Sequence, residues 1–178
     1  MAYEVEIKAH ITAEEYTQLK RKLSGTMDDK GFDEKHDVYF KRLEDQDERI
    51  RLRSCDSKGA VLTYKERHTY DGVEMNKEIE LVVDNMESAK KMLEAIGFVI
   101  SFKKTKMVHL FSDGQVQYEL AEVAGLGLFL EIEKIIENEE DIQLVNQAKH
   151  EVKEILLSLG VSAERIEEKS YKKLLGYV

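Results

Sequence analysis

Met1-Ala2-Tyr3-Glu4-Val5-Glu6-Ile7-Lys8-Ala9-His10 opens the chain, and its reading decides the fold. Side chains on a β-strand alternate between two faces. The spacing predicts a strand with Glu4, Glu6 and Lys8 on one face and Val5, Ile7 and Ala9 on the other. Alone, this would be a core face backed by solvated charge. The same alternation returns in later segments, with charge of one sign or the other. The fold then follows from which face points inward.

Working outward, Thr12-Ala13-Glu14-Glu15 has the spacing of a capping box and predicts a helix start. Tyr16, Leu19 and Leu23 continue it, and Ser24-Gly25 marks its end. Lys30 to Phe40 reads as extended, with Val38 and Phe40 on one side and Asp37 and Tyr39 on the other. Tyr39 is expected to pack. Arg49-Ile50-Arg51-Leu52-Arg53 alternates cleanly and ends in the turn Asp56-Ser57-Lys58-Gly59. Ala60 to His68 carries Thr63, Lys65 and Arg67 on one face; after Asp71-Gly72, Val73 to Val83 carries Glu74, Asn76, Glu78 and Glu80. These three strands predict an antiparallel meander.

Asp84-Asn85 begins a helix through Met86, Ala89, Met92, Leu93 and Ile96, with both methionines expected in its core and Gly97 as its stop. Phe98 to Phe111 is a long strand carrying Lys104 and Lys106, joined through the hairpin turn Asp113-Gly114 to Gln115 to Val123, which carries Gln117, Glu119 and Ala121. Leu128 to Ile136 is the last strand, with Phe129, Glu131 and Glu133 opposite Leu128, Leu130 and Ile132. A helix from about Asp141 to Leu159 follows, and Ser170 caps a short one over Tyr171 to Leu175. The acidic run Glu137 to Asp141 reads as a solvated helix start, favoured by the helix dipole.

The chain has 178 residues, enough for one domain over 1–178 with a real core. Its net charge of −9 repels nucleic-acid backbone and anionic membrane, so neither is an expected partner. The single cysteine, Cys55, forms no intrachain disulfide and reads as a packing residue. With an N-terminus that does not resemble a signal peptide, it points to a reducing, cytoplasmic setting. The 5 histidines are scattered without metal-ligand spacing.

Eight strands joined largely by hairpins close into a barrel wide enough for one small ligand. The amphipathic helices need an apolar surface, so the apolar strand faces meet the helices and the charged faces point into the barrel. The competing reading is an open sheet with solvated charges and structural ion pairs. A charged interior is costly unless it is paired and filled. A polyphosphate with a divalent cation satisfies both demands. Arg and Lys take phosphate oxygens, and carboxylates hold Mg²⁺ or Mn²⁺.

The order of these pieces resembles the CYTH superfamily of triphosphate tunnel metalloenzymes. Glu4-Val5-Glu6-Ile7-Lys8 matches its ExExK signature; Arg51-Leu52-Arg53, Thr63-Tyr64-Lys65, Glu78-Ile79-Glu80 and Lys104-Thr105-Lys106 follow in order. Gly125-Leu126-Gly127-Leu128-Phe129-Leu130-Glu131-Ile132-Glu133 and Ser170-Tyr171-Lys172-Lys173-Leu174-Leu175 look most like the class IV adenylyl cyclase and thiamine-triphosphatase branch. The resemblance implies an α+β fold: a closed eight-stranded antiparallel β-barrel with helices packed outside. It implies metal binding by Glu4, Glu6, Glu131 and Glu133, with Glu78 and Glu80 in support, and phosphate binding by Lys8, Arg51, Arg53, Lys65, Lys104 and Lys106. A homodimer is implied as well.

Ala121 stands where the family pattern commonly has Asp, and Asn76 where a basic residue often stands. Glu119, on the same face as Ala121, is the candidate replacement and, with Lys8, the candidate for the chemical step. The expected activity is conversion of ATP to cyclic AMP and pyrophosphate. The alternatives are hydrolysis of thiamine triphosphate or inorganic triphosphate, towards which Ala121 leans, and a non-catalytic polyphosphate- or nucleotide-binding module.

Overall fold

The computed structural model describes residues 3–44, 49–56, 59–70, 72–136 and 142–177. The turn residues Ser57, Lys58 and Asp71 and the acidic run Glu137 to Asp141 lie outside the described residues.

Strand β1 (Tyr3–His10) hands the chain to helix α1 (Ala13–Thr26) through the predicted box. Thr12 Oγ1 accepts from the Glu15 N–H at 3.2 Å, and Glu15 Oε2 accepts from the Thr12 N–H at 2.7 Å. The helix runs past Gly25 to Thr26, because Met27 N–H still reaches Leu23 O at 2.9 Å. Four strands follow: β2 (Asp28–Arg42), β3 (Ile50–Cys55), β4 (Gly59–Tyr70) and β5 (Val73–Val83). Next come α2 (Met86–Ala95), β6 (Phe98–Ser112), β7 (Val116–Val123), β8 (Gly127–Ile136), α3 (Ile142–Ser158), a 3-10 turn at Ala163–Arg165 and α4 (Tyr171–Leu174).

The strands close in the order β1-β5-β4-β3-β2-β6-β7-β8, all antiparallel. Two meanders are thus stitched by β2 against β6 and by β1 against β5 and β8. Closure removes every sheet edge. The expected barrel with outside helices is what the chain forms.

The apolar strand faces do carry the helices. Val5, Ile7, Leu130 and Ile132 pack with Leu19 and Leu23 of α1 and Val152 and Leu156 of α3. Phe40 and Leu52 pack with Ala89 and Leu93 of α2. Met92 and Ile96 are exposed, so the expectation of a methionine core in α2 holds for Met86 alone. Ala89 and Leu93 fix the buried stripe, and Met92 and Ile96 fall beside it. Gly72, at φ +77°, has its α-carbon so close to Ile166 that an added Cβ would lie 2.9 Å from Ile166 Cγ2.

The barrel interior is polar through most of its length and apolar at one end. There Val108, Ala121, Val123 and Phe129 pack with Leu126, Tyr171 and Leu174, so α4 caps that end.

Candidate functional site

Strand parity puts Glu4, Glu6 and Lys8 inside, and the registers decide their neighbours. Glu6 lies across from Glu74 on β5 and Glu133 on β8; Lys8 lies across from Glu131. Glu4 lies across from Asn76.

The interior is a lattice of alternating charge. Lys65 Nζ contacts Glu78 at 2.7 Å, Glu4 at 3.2 Å and Glu6 at 3.9 Å. Lys106 Nζ lies 2.5 Å from Glu119 and 2.8 Å from Glu131. Lys35 takes the other oxygen of Glu119. Lys8 meets Glu74 at 3.3 Å, and Arg67 Nε reaches the same carboxylate at 3.1 Å. Asp37 holds Arg53 bidentately, at 2.6 and 2.9 Å, and Lys104 at 3.2 Å. Arg51 donates to Thr63 at 3.0 Å and to Glu80 at 3.4 Å, towards the exposed rim where Glu80 stands. Among the described residues, Arg51 Nε and Asn76 Oδ1 are buried without a hydrogen-bond partner.

This arrangement splits the carboxylates into two groups. For Glu119, burial favours the neutral form, but the ammonium groups of Lys106 and Lys35 overcome it and hold the carboxyl well below the usual range. Asp37 behaves likewise, with Lys104 and Arg53 overriding burial, and so does Glu4, through Lys65. Glu131 is also lowered against burial, by Lys106. Glu6 goes the other way. Burial, joined by repulsion from Glu74, pushes it up to about 7. Burial and the neighbouring Glu4 raise Glu133 well above the usual range, and burial raises Glu78.

Carboxylates are therefore in local excess around Glu4, Glu6 and Glu133, and Glu131 joins them across β8. Oxygen-only donors crowded to the point of repulsion suit a hard divalent cation. Among the described residues, no three of them converge closely enough to hold an ion as they stand. Lys65 and Lys106 sit among them, so the carboxylates must turn off these ammonium groups to coordinate. The donor set fits in chemistry, and the pairing of β1 with β8 brings the four carboxylates to one stretch of wall without forming a coordination shell.

The tunnel opens into a cavity of about 610 Å³ lined by Arg51, Lys65 and Arg67, the stacked pair Tyr39 and Phe102, and Tyr171. Tyr39 packs, as expected, and also faces this cavity.

The metal and phosphate candidates singled out from sequence lie on the inward face of their strands, with Glu80 exposed at the rim. Sequence reasoning passed over Lys35, Asp37, Glu74 and Tyr171. Asp37 and Glu74 were visible as members of charged faces. Lys35 sits in a stretch, Asp33-Glu34-Lys35-His36-Asp37, where charge falls on both parities and marks neither face. Tyr171 reaches Glu131 from 40 residues away.

A family model described as the CYTH domain matches residues 2–171. A protein of Methanocaldococcus jannaschii, provisionally named an adenylate cyclase, is 31% identical over 178 residues, covering 97% of this chain and 98% of that one. A conserved hypothetical protein of Pyrococcus furiosus superposes with a TM-score of 0.80 at 26% identity, covering 96% of this chain and 99% of that chain. A Hippeastrum protein, whose structure is described as that of a provisional adenylyl cyclase with a dominant triphosphatase activity, shares the fold at TM-score 0.65 and 17% identity over 99% of this chain and 95% of that one. With the ExExK strand built into a closed, charge-lined tunnel and the family pattern matched along nearly its whole length, the chain belongs to the CYTH family.

Proposed function

We propose that this chain is a divalent-metal-dependent enzyme that holds a linear triphosphate in its tunnel and cleaves it by phosphoryl transfer. The observation that carries this reading is the convergence of Lys8, Arg51, Arg53, Lys65, Lys104 and Lys106 on one interior beside an excess of buried carboxylate. Phosphate oxygens would exchange for the carboxylates these cations now hold. Arg53 is presented as a fork by Asp37, and the unpartnered Arg51 Nε is a donor in waiting. Glu4, Glu6, Glu131 and Glu133 would hold Mg²⁺ or Mn²⁺. The ion, when bound, supplies charge neutralisation and polarises the phosphoryl group. Lys8, fixed between β1 and Glu74, orients a phosphate, and Glu78 and Glu80 keep Lys65 and Arg51 in place.

Hydrolysis is the reaction this geometry supports best. A cyclase needs a group to orient or deprotonate a ribose hydroxyl. Ala121 offers none and lies fully buried beside Phe129. Glu119, bracketed by Lys35 and Lys106 with its carboxyl held far down, is a weak base. The second reading, cyclisation of ATP, is favoured by the name of the M. jannaschii relative. The Hippeastrum protein, which shares the fold, is described as having a dominant triphosphatase activity.

The test is product analysis after incubation with ATP, thiamine triphosphate and tripolyphosphate, each with Mg²⁺ or Mn²⁺. Orthophosphate without a cyclic product is expected. Cyclic AMP with pyrophosphate would establish the second reading, and tight binding without turnover would make the chain a binding module. Glu6→Ala should abolish turnover with the far-UV circular dichroism unchanged; full activity in that variant would overturn the metal assignment.

A further inference from the structure

α4 starts at Tyr171, with Ser170 as its cap, and it turns the Tyr171 side chain into the tunnel. The hydroxyl donates to Glu131 Oε1, while Lys106 occupies Glu131 Oε2 at 2.8 Å. Both oxygens of this carboxylate are therefore taken. The Tyr171 ring carries the Lys104 ammonium 4.4 Å from its centroid and that of Lys8 at 5.1 Å, with Phe129 edge-on at 5.1 Å. One side chain thus touches a carboxylate of the metal group and two cations of the phosphate group. It is also the point where α4 is tied to the polar interior.

We propose that Tyr171 is a positioning residue for the triphosphate site: its hydroxyl holds Glu131 Oε1 until a divalent cation takes that oxygen, and its ring fixes the Lys8 and Lys104 ammonium groups for phosphate. This rests on the metal reading above. An ion pair secures Oε2 and a neutral donor secures Oε1, so Oε1 is the oxygen a cation can claim at lower cost. Taking it breaks the hydrogen bond between Tyr171 and Glu131 and loosens the start of α4, where the ring's contacts with Lys8, Lys104 and Phe129 remain.

The test uses the full chain and Mn²⁺ alone, followed by electron paramagnetic resonance of the free ion. Tyr171→Phe keeps the ring and removes the competing donor, so it should bind Mn²⁺ more tightly than the wild type by about tenfold or more, the scale of one hydrogen bond to a charged group. Equal or weaker Mn²⁺ binding in Tyr171→Phe would overturn the proposal. In the wild type, saturating Mn²⁺ should speed amide exchange across α4; unchanged exchange would overturn it too, without reliance on a variant. Tripolyphosphate affinity should survive in Tyr171→Phe and fall about tenfold in Tyr171→Ala, where the ring contacts to both lysines are lost. Wild-type affinity in Tyr171→Ala would remove the role of the ring. If the wild type itself fails to bind Mn²⁺, the metal reading falls and this proposal with it. Mn²⁺ binding that is indifferent to Tyr171 sinks the proposal alone.

Discussion

Asp37 shows how a single buried carboxylate organises the cations around it. It is 1% exposed and holds Arg53 through two hydrogen bonds and Lys104 through an ion pair. Removing its charge strands two buried cations, and breaking a buried pair from one side costs about 3–5 kcal/mol. Asp37→Asn should therefore lower the unfolding free energy by that much, seen as a lower urea midpoint with the slope of the transition unchanged. Its pH signature has a definite sign. Folding depresses the Asp37 carboxyl against burial, through Lys104 and Arg53. The stability it contributes is present above the unfolded value of about 3.9 and is lost as pH falls towards the folded one. Wild-type melting temperature should thus drop more steeply below about pH 4 than that of Asp37→Asn. Ala121 is the opposite case. It is buried among Val108, Val123 and Phe129, so Ala121→Asp would put a charge into an apolar cluster that docks α4. That variant should be destabilised by several kcal/mol, on the order of the penalty for an unpaired buried charge, measured by denaturant unfolding. A variant as stable as the wild type would show that this wall is wetter than its packing indicates.

At the scale of elements, each helix is placed by an apolar stripe that matches an apolar strand face. Leu156 of α3 is fully buried on β1 and β8, the strands that carry Glu4, Glu6, Glu131 and Glu133. Leu156→Ala should cost about 2–5 kcal/mol, the range for truncating a buried leucine. Because α3 fixes the outer face of those strands, metal affinity should weaken along with stability. The link between β4 and β5 is set by a different constraint. Gly72 combines a left-handed φ with Ile166 at its α-carbon. Gly72→Ala should destabilise by more than about 1 kcal/mol and disturb the segment that runs on to α4. That segment is tied to β1 by Glu167 N–H donating to Lys8 O at 2.8 Å.

At the scale of the whole molecule, closure of the barrel makes the charge lattice tolerable. The pairs are buried and hydrogen-bonded, so they are little screened by salt, while the surplus carboxylates remain a standing strain. Glu6 is the clearest case, pushed up to about 7 by burial and by Glu74. A raised carboxyl means that the charged form opposes folding and that stability falls as pH rises past the unfolded value. Glu6→Gln should therefore raise the melting temperature of the metal-free protein at pH 8. On the proposed function, the same surplus would make the fold responsive to ligand. Tripolyphosphate with Mg²⁺ at a hundredfold excess over its Kd should add about 2.7 kcal/mol to folding stability. Neither component alone should match it, because each neutralises only one half of the lattice.

Alternation with a period of two is a local property. It was enough to place Glu4, Glu6, Lys8, Arg51, Arg53, Lys65, Lys104, Lys106, Glu131 and Glu133 on one side of their strands. The helices' need for an apolar partner was enough to turn that side inward. Barrel, helix order and most of the charged candidates were thus legible without coordinates. What stayed illegible depends on distance in sequence. No local pattern says that Glu6 faces Glu74 and Glu133, which sets the excess of carboxylate, because interstrand register is fixed only when the sheet closes. None says that Lys35 shares Glu119 with Lys106, because β2 carries charge on both parities and only its pairing with β6 selects one. None says that Tyr171 touches Glu131, because α4 reaches the tunnel through packing against Phe129 and Ala121. The sequence by itself determined most of the charges the tunnel contains; the tertiary structure added those of β2 and decided which of them compensate one another, since electrostatic pairing acts through space and not along the chain.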